Sequence, residues 1–268
     1  MHKKIRLNAA ATAGLLIILF FLIIAVFAPV IAPYDPKEMI ASYLPPSKEH
    51  ILGTNDVGQD IFSEMVYGTR VSLYIGIFAA FIVTGVGTVL ALVSGYFGGV
   101  ADKIITAITN IAMAVPSLPL TVLLIAYLNP GKWSLIIAIS ITAWTGTARI
   151  LRARVMQLKE LPFIKIEKTM GVHPAVILFK HILPNIKDII LTRGAMAISG
   201  AMMTEAGLSF LGLGEFGEKS WGSVLHYAFF RNSIMKKQYW WYVPPIVCIC
   251  VCVLGFMLIG YYGKKGGE

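Results

Sequence analysis

Charge is scarce in this chain. Only 14% of its 268 residues are Asp, Glu, Lys or Arg, against roughly 25% in a soluble domain. Cysteine is rarer still. Cys248, Cys250 and Cys252 all lie in one apolar run. Neighbours two apart are rotated by about 200° around a helix, so the three cannot face one metal, and no disulfide framework is implied. The five histidines are scattered (His2, His50, His173, His181 and His226), with no H-E-x-x-H and no C-x-x-C pair. No phosphate-cradling loop is present: the nearest approach, GEFGEKS at 214–220, lacks the Gly-Lys-Ser/Thr core. No nucleophile–base pair is suggested. The expectation is a chain without catalytic residues, metal or cofactor of its own, in which any uphill work is done by another subunit.

What is abundant is apolar sequence. Hydrophobic residues make up 57% and the mean hydropathy is +0.74. A bilayer core needs about 20 apolar residues per helical span. Six runs qualify or nearly do: 10–31, 73–94, 104–128, 134–149, 189–211 and 243–262, the fourth being short. They are continuous rather than alternating, so they predict helices and not a barrel. The first run follows Lys3, Lys4 and Arg6 but exceeds the 7–15 residues of a signal core and lacks a clear cleavage site, so it is read as a retained helix. Fourteen of the 23 basic residues fall in 1–9, 95–103, 149–188 and 263–268. Positive residues mark the cytoplasmic side, which places both termini in the cytosol. Arg231, Lys236 and Lys237 run against that rule. Because the basic residues are split between two sides, the net charge of +9 reads as membrane topology and not as a nucleic-acid surface. The chain divides into 1–72 (tail, first span and exterior loop), a membrane core at 73–262 with a cytoplasmic loop at 150–188, and a tail at 263–268.

The longest polar interruption is LPFIKIEKTMGVHPAVILFKHILPN, 161–185. Phe163, Ile166 and Met170 share one helical face and Lys165 and Lys168 another; Gly171 breaks the pattern; Val176, Phe179 and Ile182 form a second stripe that Pro184 is expected to close. Two short amphipathic helices hinged at a glycine make either a docking device at a membrane surface or a solvated loop between spans with snorkelling lysines. In the exterior loop, Asp56, Asp60 and Glu64 lack the spacing of a calcium loop and read as capping and surface carboxylates. A short amphipathic helix carrying Ile61, Met65 and Val66 is expected to lie against the membrane. Pro116 and Pro119 should kink the third span. The fifth is rich in small residues, among them Gly200, and holds Arg193 and Glu205 about 18 Å apart along the axis. Ionisable groups in a span face protein or water, so Pro116, Arg193, Gly200 and Glu205 are candidates for lining a path.

Three stretches together resemble one family, the permease subunits of ATP-binding-cassette importers for dipeptides, oligopeptides and nickel, and within it the second permease of the pair. The stretch 50–76 is similar to the pattern HxLGTDxxGRDxxSRxxxGxRxSLxxG, departing at Asn55, Gln59 and Glu64, where the family usually has Asp, Arg and Arg. The insert resembles the permease signature EAA-x3-G-x9-I-x-LP: Gly171, Leu183 and Pro184 match, whereas Lys165 stands at the Glu position, Ile166 and Glu167 at the alanines and His181 at the isoleucine. EAGLSFLGLG at 205–214 with SWGSVL at 220–225 is the most specific match.

The resemblance implies an all-α membrane protein of six transmembrane helices with the type I (MetI-like) importer permease fold. It implies a location in a prokaryotic inner membrane. The expected partners are a second homologous permease, two cytoplasmic ATPases that bind the ATP and magnesium, an extracytoplasmic solute-binding protein and membrane lipid. Contact with the ATPases would fall on Lys165, Glu167, Gly171, His181, Leu183 and Pro184. Peptides are the expected cargo and nickel or a metal chelate the alternative. A stand-alone channel, a secondary transporter and a membrane-embedded enzyme were the competing classes; no convincing internal repeat supports the second.

Overall fold

The computed structural model describes residues 8–215 and 217–263, and they are almost entirely helical. Helix α1 is Ala9–Val26, followed by a single turn, Ala28–Ile31. Helix α2 is Ile61–Phe97, α3 Gly99–Ala114, α4 Ser117–Leu128 and α5 Lys132–Lys159. Helix α6 is Pro162–Thr169, α7 Pro174–Leu213, α8 Trp221–Phe230 and α9 Tyr239–Tyr262. The one β feature among the described residues is an isolated bridge between Thr54 and Asp60. Five helices are long and apolar enough to span a membrane, or six when the α3–α4 pair is counted as one span.

Four departures from the sequence expectation matter. The amphipathic segment at Ile61 is not a separate surface helix but the first turns of α2, whose N-cap Asp60 accepts the Ser63 amide at 2.8 Å. The third span does not merely kink: α3 and α4 meet at 90°, because Val115 and Pro116 are extended and Pro116 has no amide to donate. The fourth span is not short, since α5 runs on to Lys159 and leads directly into the insert. And Pro184 does not close the second stripe; α7 passes through it.

The passage through Pro184 has a local cause. A proline removes one i→i−4 bond from a helix. Here the preceding turn widens to π geometry over Ile177–Ile182, with the Leu183 amide donating to the Leu178 carbonyl. The Asn185 side-chain amide donates to the His181 carbonyl at 2.6 Å. The second short helix of the insert is therefore the root of the fifth span.

Three apolar clusters hold the bundle. One joins α1, α8, α9 and the start of α2 around the fully buried Trp221 and Trp241. A second packs Ile75 and Ala79 of α2 against Ile136 and Ile139 of α5 and Ala201 of α7. The third seats the insert: Ile164, Ile177, Ile182 and Ile186 meet Tyr96 at the end of α2 and Val155 and Leu158 at the end of α5. Burial of each such isoleucine is worth about 1.5–3 kcal/mol, so the insert is anchored on two spans. The α2–α5 crossing is close because α2 offers glycine there. A Cβ at Gly95 would lie 2.8 Å from the Val155 Cβ, and one at Gly87 would lie 2.9 Å from Thr147.

That crossing predicts a contrast within one helix. Gly95→Ala must push Val155 and the α5 backbone away, at a cost of about 1–3 kcal/mol. Gly85 has nothing within 4 Å of its would-be Cβ, so Gly85→Ala should be neutral or slightly stabilising. Thermal unfolding in detergent should show the Gly95 variant alone melting lower; equal melting of both would refute the close crossing.

Candidate coupling site

The insert is a rigid corner. Helix α6 starts at Pro162, where a missing amide costs nothing. It ends in a Schellman motif: Gly171 adopts φ +77, its amide donates to the Lys168 carbonyl at 3.2 Å, and the Val172 amide donates to the Glu167 carbonyl at 3.1 Å. Only a residue that tolerates the left-handed region fits there. The chain then restarts at once. His173 caps α7, its Nδ1 accepting the Ala175 amide at 3.3 Å, and Pro174 takes the first helical position.

One face of the corner is closed by Ile164, Ile177 and Ile182. The other stays open: Ile166 is 59% exposed, Met170 76% and Phe179 68%. Glu167 and His181 pair across the corner at 2.9 Å (Oε1 to Nε2), tying α6 to the π turn of α7. Lys165 is salt-bridged to Glu160 at 2.8 Å, which holds the Glu160 carboxyl below the ordinary carboxylate range. Gly171, Glu167, His181, Lys165, Leu183 and Pro184 thus fall in one insert, with Leu183 and Pro184 inside α7 where the π turn ends. Alongside, Asp102 of α3 and Arg152 of α5 form a two-pronged ion pair, with Nε–Oδ1 2.6 Å and Nη2–Oδ2 2.7 Å. It fastens the bent third span to the same end of the bundle.

The four path candidates separate. Pro116, at the α3–α4 break, and Gly200 are exposed on this chain. Arg193 is half-buried; its Nη1 meets only the Met196 sulfur, at 3.7 Å, and its Nη2 lies near Gly146 of α5. Glu205 is only 1% exposed and accepts the Ser209 hydroxyl at 2.7 Å, inside the packing of this chain.

At the opposite end lies a second polar cluster. Asp60 accepts from Ser63 and faces His50 Nδ1 at 3.0 Å; Asp56 pairs with Arg231 at 2.7 Å. These carboxylates cap and brace the loop, and no group of three metal-ligating side chains occurs among the described residues. Asn55 donates to Gln59 at 3.1 Å and to Glu64 at 2.9 Å, and Lys219 donates to Gln59 at 2.7 Å and pairs with Glu64. The three departures from the family pattern therefore meet in space, joined by Lys219. The link from Lys219 to Glu64 spans 155 positions, and no local periodicity could have revealed it. The only sequence signal was that all three departures fell in one otherwise well-matched stretch.

The chain is an all-helical bundle with a glycine-cornered insert between its fourth and fifth spans. Residues 87–264 match the family model for the binding-protein-dependent transport system inner membrane component, and the chain belongs to that family. It is a multi-pass inner-membrane transport subunit. Residues 1–46 match the N-terminal transmembrane domain of oligopeptide transport permease C. The chain is similar to the Bacillus subtilis oligopeptide transport system permease protein OppC, with 37% identity over 262 residues, 96% of this chain and 84% of that protein. It is 33% identical to the dipeptide transport system permease protein DppC of the same organism, covering 96% and 81%. It is 35% identical to the glutathione transport system permease protein GsiD of Pectobacterium atrosepticum, covering 97% and 86%. Among solved structures, the inward-facing MetNI methionine ABC transporter matches with a TM-score of 0.60 and 18% identity, covering 75% of this chain and 94% of that one. The fold is that of a MetI-like importer permease.

The corner makes its own prediction. Gly171 has open space around a would-be Cβ, so substitution there is opposed by backbone conformation alone, by about 1–2 kcal/mol for an ordinary residue. Gly171→Val should open the turn and speed tryptic cleavage at Lys168 by roughly 5–30-fold. Gly171→Asn, which tolerates the left-handed region, should be cut at a rate close to that of the parent. Equal protection of the Val variant would mean that the corner does not hold the insert together.

Proposed function

We propose that this chain is the second permease of a peptide importer and forms half of its translocation path. It pairs with a homologous permease, and two cytoplasmic ATPases supply the energy by hydrolysing ATP. An extracytoplasmic binding protein delivers the cargo. The peptide assignment is supported by the names of the relatives, which are oligopeptide, dipeptide and glutathione permeases; nothing among them favours the nickel alternative. The insert and both termini lie in the cytosol on this reading, in line with the excess of Lys and Arg on that side.

The observation that carries the proposal is the open apolar face of the corner, with Ile166, Met170 and Phe179 exposed above a clamped isoleucine base. An apolar knob on a rigid base transmits displacement instead of absorbing it. ATP closes the ATPase pair, the corner follows, and α5 and α7, which leave it directly, rock the spans toward the outward-facing state. The motif position usually held by Glu carries Lys165 here, so the matching ATPase groove should present a carboxylate to it.

Gly171→Pro provides the test. Proline requires φ near −65°, incompatible with +77. In the four-subunit complex, uptake of a labelled peptide and the stimulation of ATP hydrolysis by loaded binding protein should both fall to background, with membrane insertion intact. A cysteine at Met170 should cross-link to an ATPase subunit. Unchanged uptake in the proline variant, or no such cross-link, would contradict the proposal.

A further inference from the structure

At the end of the bundle opposite the insert is a cavity of about 980 Å³, at the upper end of the 300–1,000 Å³ or so typical of ligand sites. It is walled by the exterior loop before α2, the first turns of α2, the start of α5 and the segment around α8. Its α2 wall presents Glu64, Tyr67, Arg70, Val71 and Tyr74, which share one broad helical face. Glu64 is buried, 1% exposed. Its Oε1 is occupied by Asn55 and Lys219, while its Oε2 has no hydrogen-bond partner among the described residues. A buried carboxylate oxygen without a donor is costly, and Glu64 is one of the residues lining a cavity large enough to supply a donor. Most of the other charges there are matched within the chain: Lys132 pairs with Glu215 and Glu218, and Arg231 with Asp56. Arg70 is exposed and, like Asp35 and Lys37 on the loop side of the cavity, has no ion-pair partner among the described residues.

We infer that this cavity is a way-station for a short zwitterionic peptide, whose ammonium end donates to Glu64 Oε2, whose carboxylate end is held by Arg70, and whose body lies on Tyr67 and Tyr74. The spacing sets the length. Glu64 and Arg70 are six positions apart, about 9 Å along α2, and two or three extended residues span about 7–10 Å. Asn55, Gln59 and Lys219 are tied to one another and to Glu64, which fixes the carboxyl in place. The peptide character of the ligand rests on the proposed function; the charge pattern does not.

The test uses the four-subunit complex in detergent without its binding protein, so that no other peptide site contributes, and tritiated trialanine as the probe. Trialanine should bind, with N-acetyl-trialanine and trialanine amide each about tenfold weaker or more, as expected for loss of a charge-assisted hydrogen bond. Free alanine, too short to reach both charges, should compete poorly. Arg70→Gln should bind trialanine and its amide equally, and Glu64→Gln should bind trialanine and its acetyl form equally. If the Glu64 variant does not assemble, the blocked peptides and the Arg70 variant still decide. No binding of trialanine, equal binding of the blocked forms, equal competition by alanine, or discrimination that survives Arg70→Gln would each overturn the assignment. Peptide-stimulated ATP hydrolysis by the same complex with its binding protein tells the two readings apart. Stimulation without direct binding sinks the cavity alone; absence of both sinks the importer reading as well.

Discussion

The geometry of this protein depends on one corner. Gly171 adopts a left-handed conformation so that α6 can end and α7 can begin within four residues, and the isoleucines on either side of it are buried against the ends of α2 and α5. Without the turn, Ile164 and Ile177 could not reach the same pocket. Without that pocket, the turn would be an exposed loop held by two backbone bonds. Each half makes the other worth its conformational entropy, and together they turn a polar interruption into a stiff element with its outer apolar face free.

Stiffness has a direction here. α5 runs unbroken to Lys159, with two residues between it and α6, and α7 leaves the corner through a widened turn that accommodates Pro184. The corner is therefore joined to the two spans that pack most intimately on α2. Glycines at 87 and 95 bring α2 and α5 into near contact, and the Asp102–Arg152 pair brings the broken third span into the same unit. The far end is fastened by other means. Trp221 donates to Ser72 and to the Met65 carbonyl, and Glu205 and Ser209 lie buried beside it. The chain is thus braced at both ends by apolar packing and polar pairing together.

Much of this was legible in the sequence. Apolar run length located the spans, because hydropathy is a local property and the bilayer demands continuous helices. Gly171 announced the corner because few residues tolerate its backbone. The failures share a cause. Whether a helix stops at Pro184 or passes it depends on a widened turn and on Asn185 reaching back to His181, which composition does not encode. Glu205 is conspicuous as a carboxylate in a span, but its partner Ser209 and its burial are set by packing. Asn55, Gln59 and Glu64 looked like three separate departures from a pattern; only the fold brings Lys219 to them.

The most direct measurement of the central claim is a pair of spin-label distances in the four-subunit complex, with and without a non-hydrolysable ATP analogue. One label goes on Lys168, and its partner sits either within this chain at Gln157 or on the other permease. A rigid corner predicts that the distance within the chain stays fixed while the distance across the pair shifts with nucleotide. A change within the chain as large as the change across the pair would mean that the insert bends under load, and force could not pass through it as described.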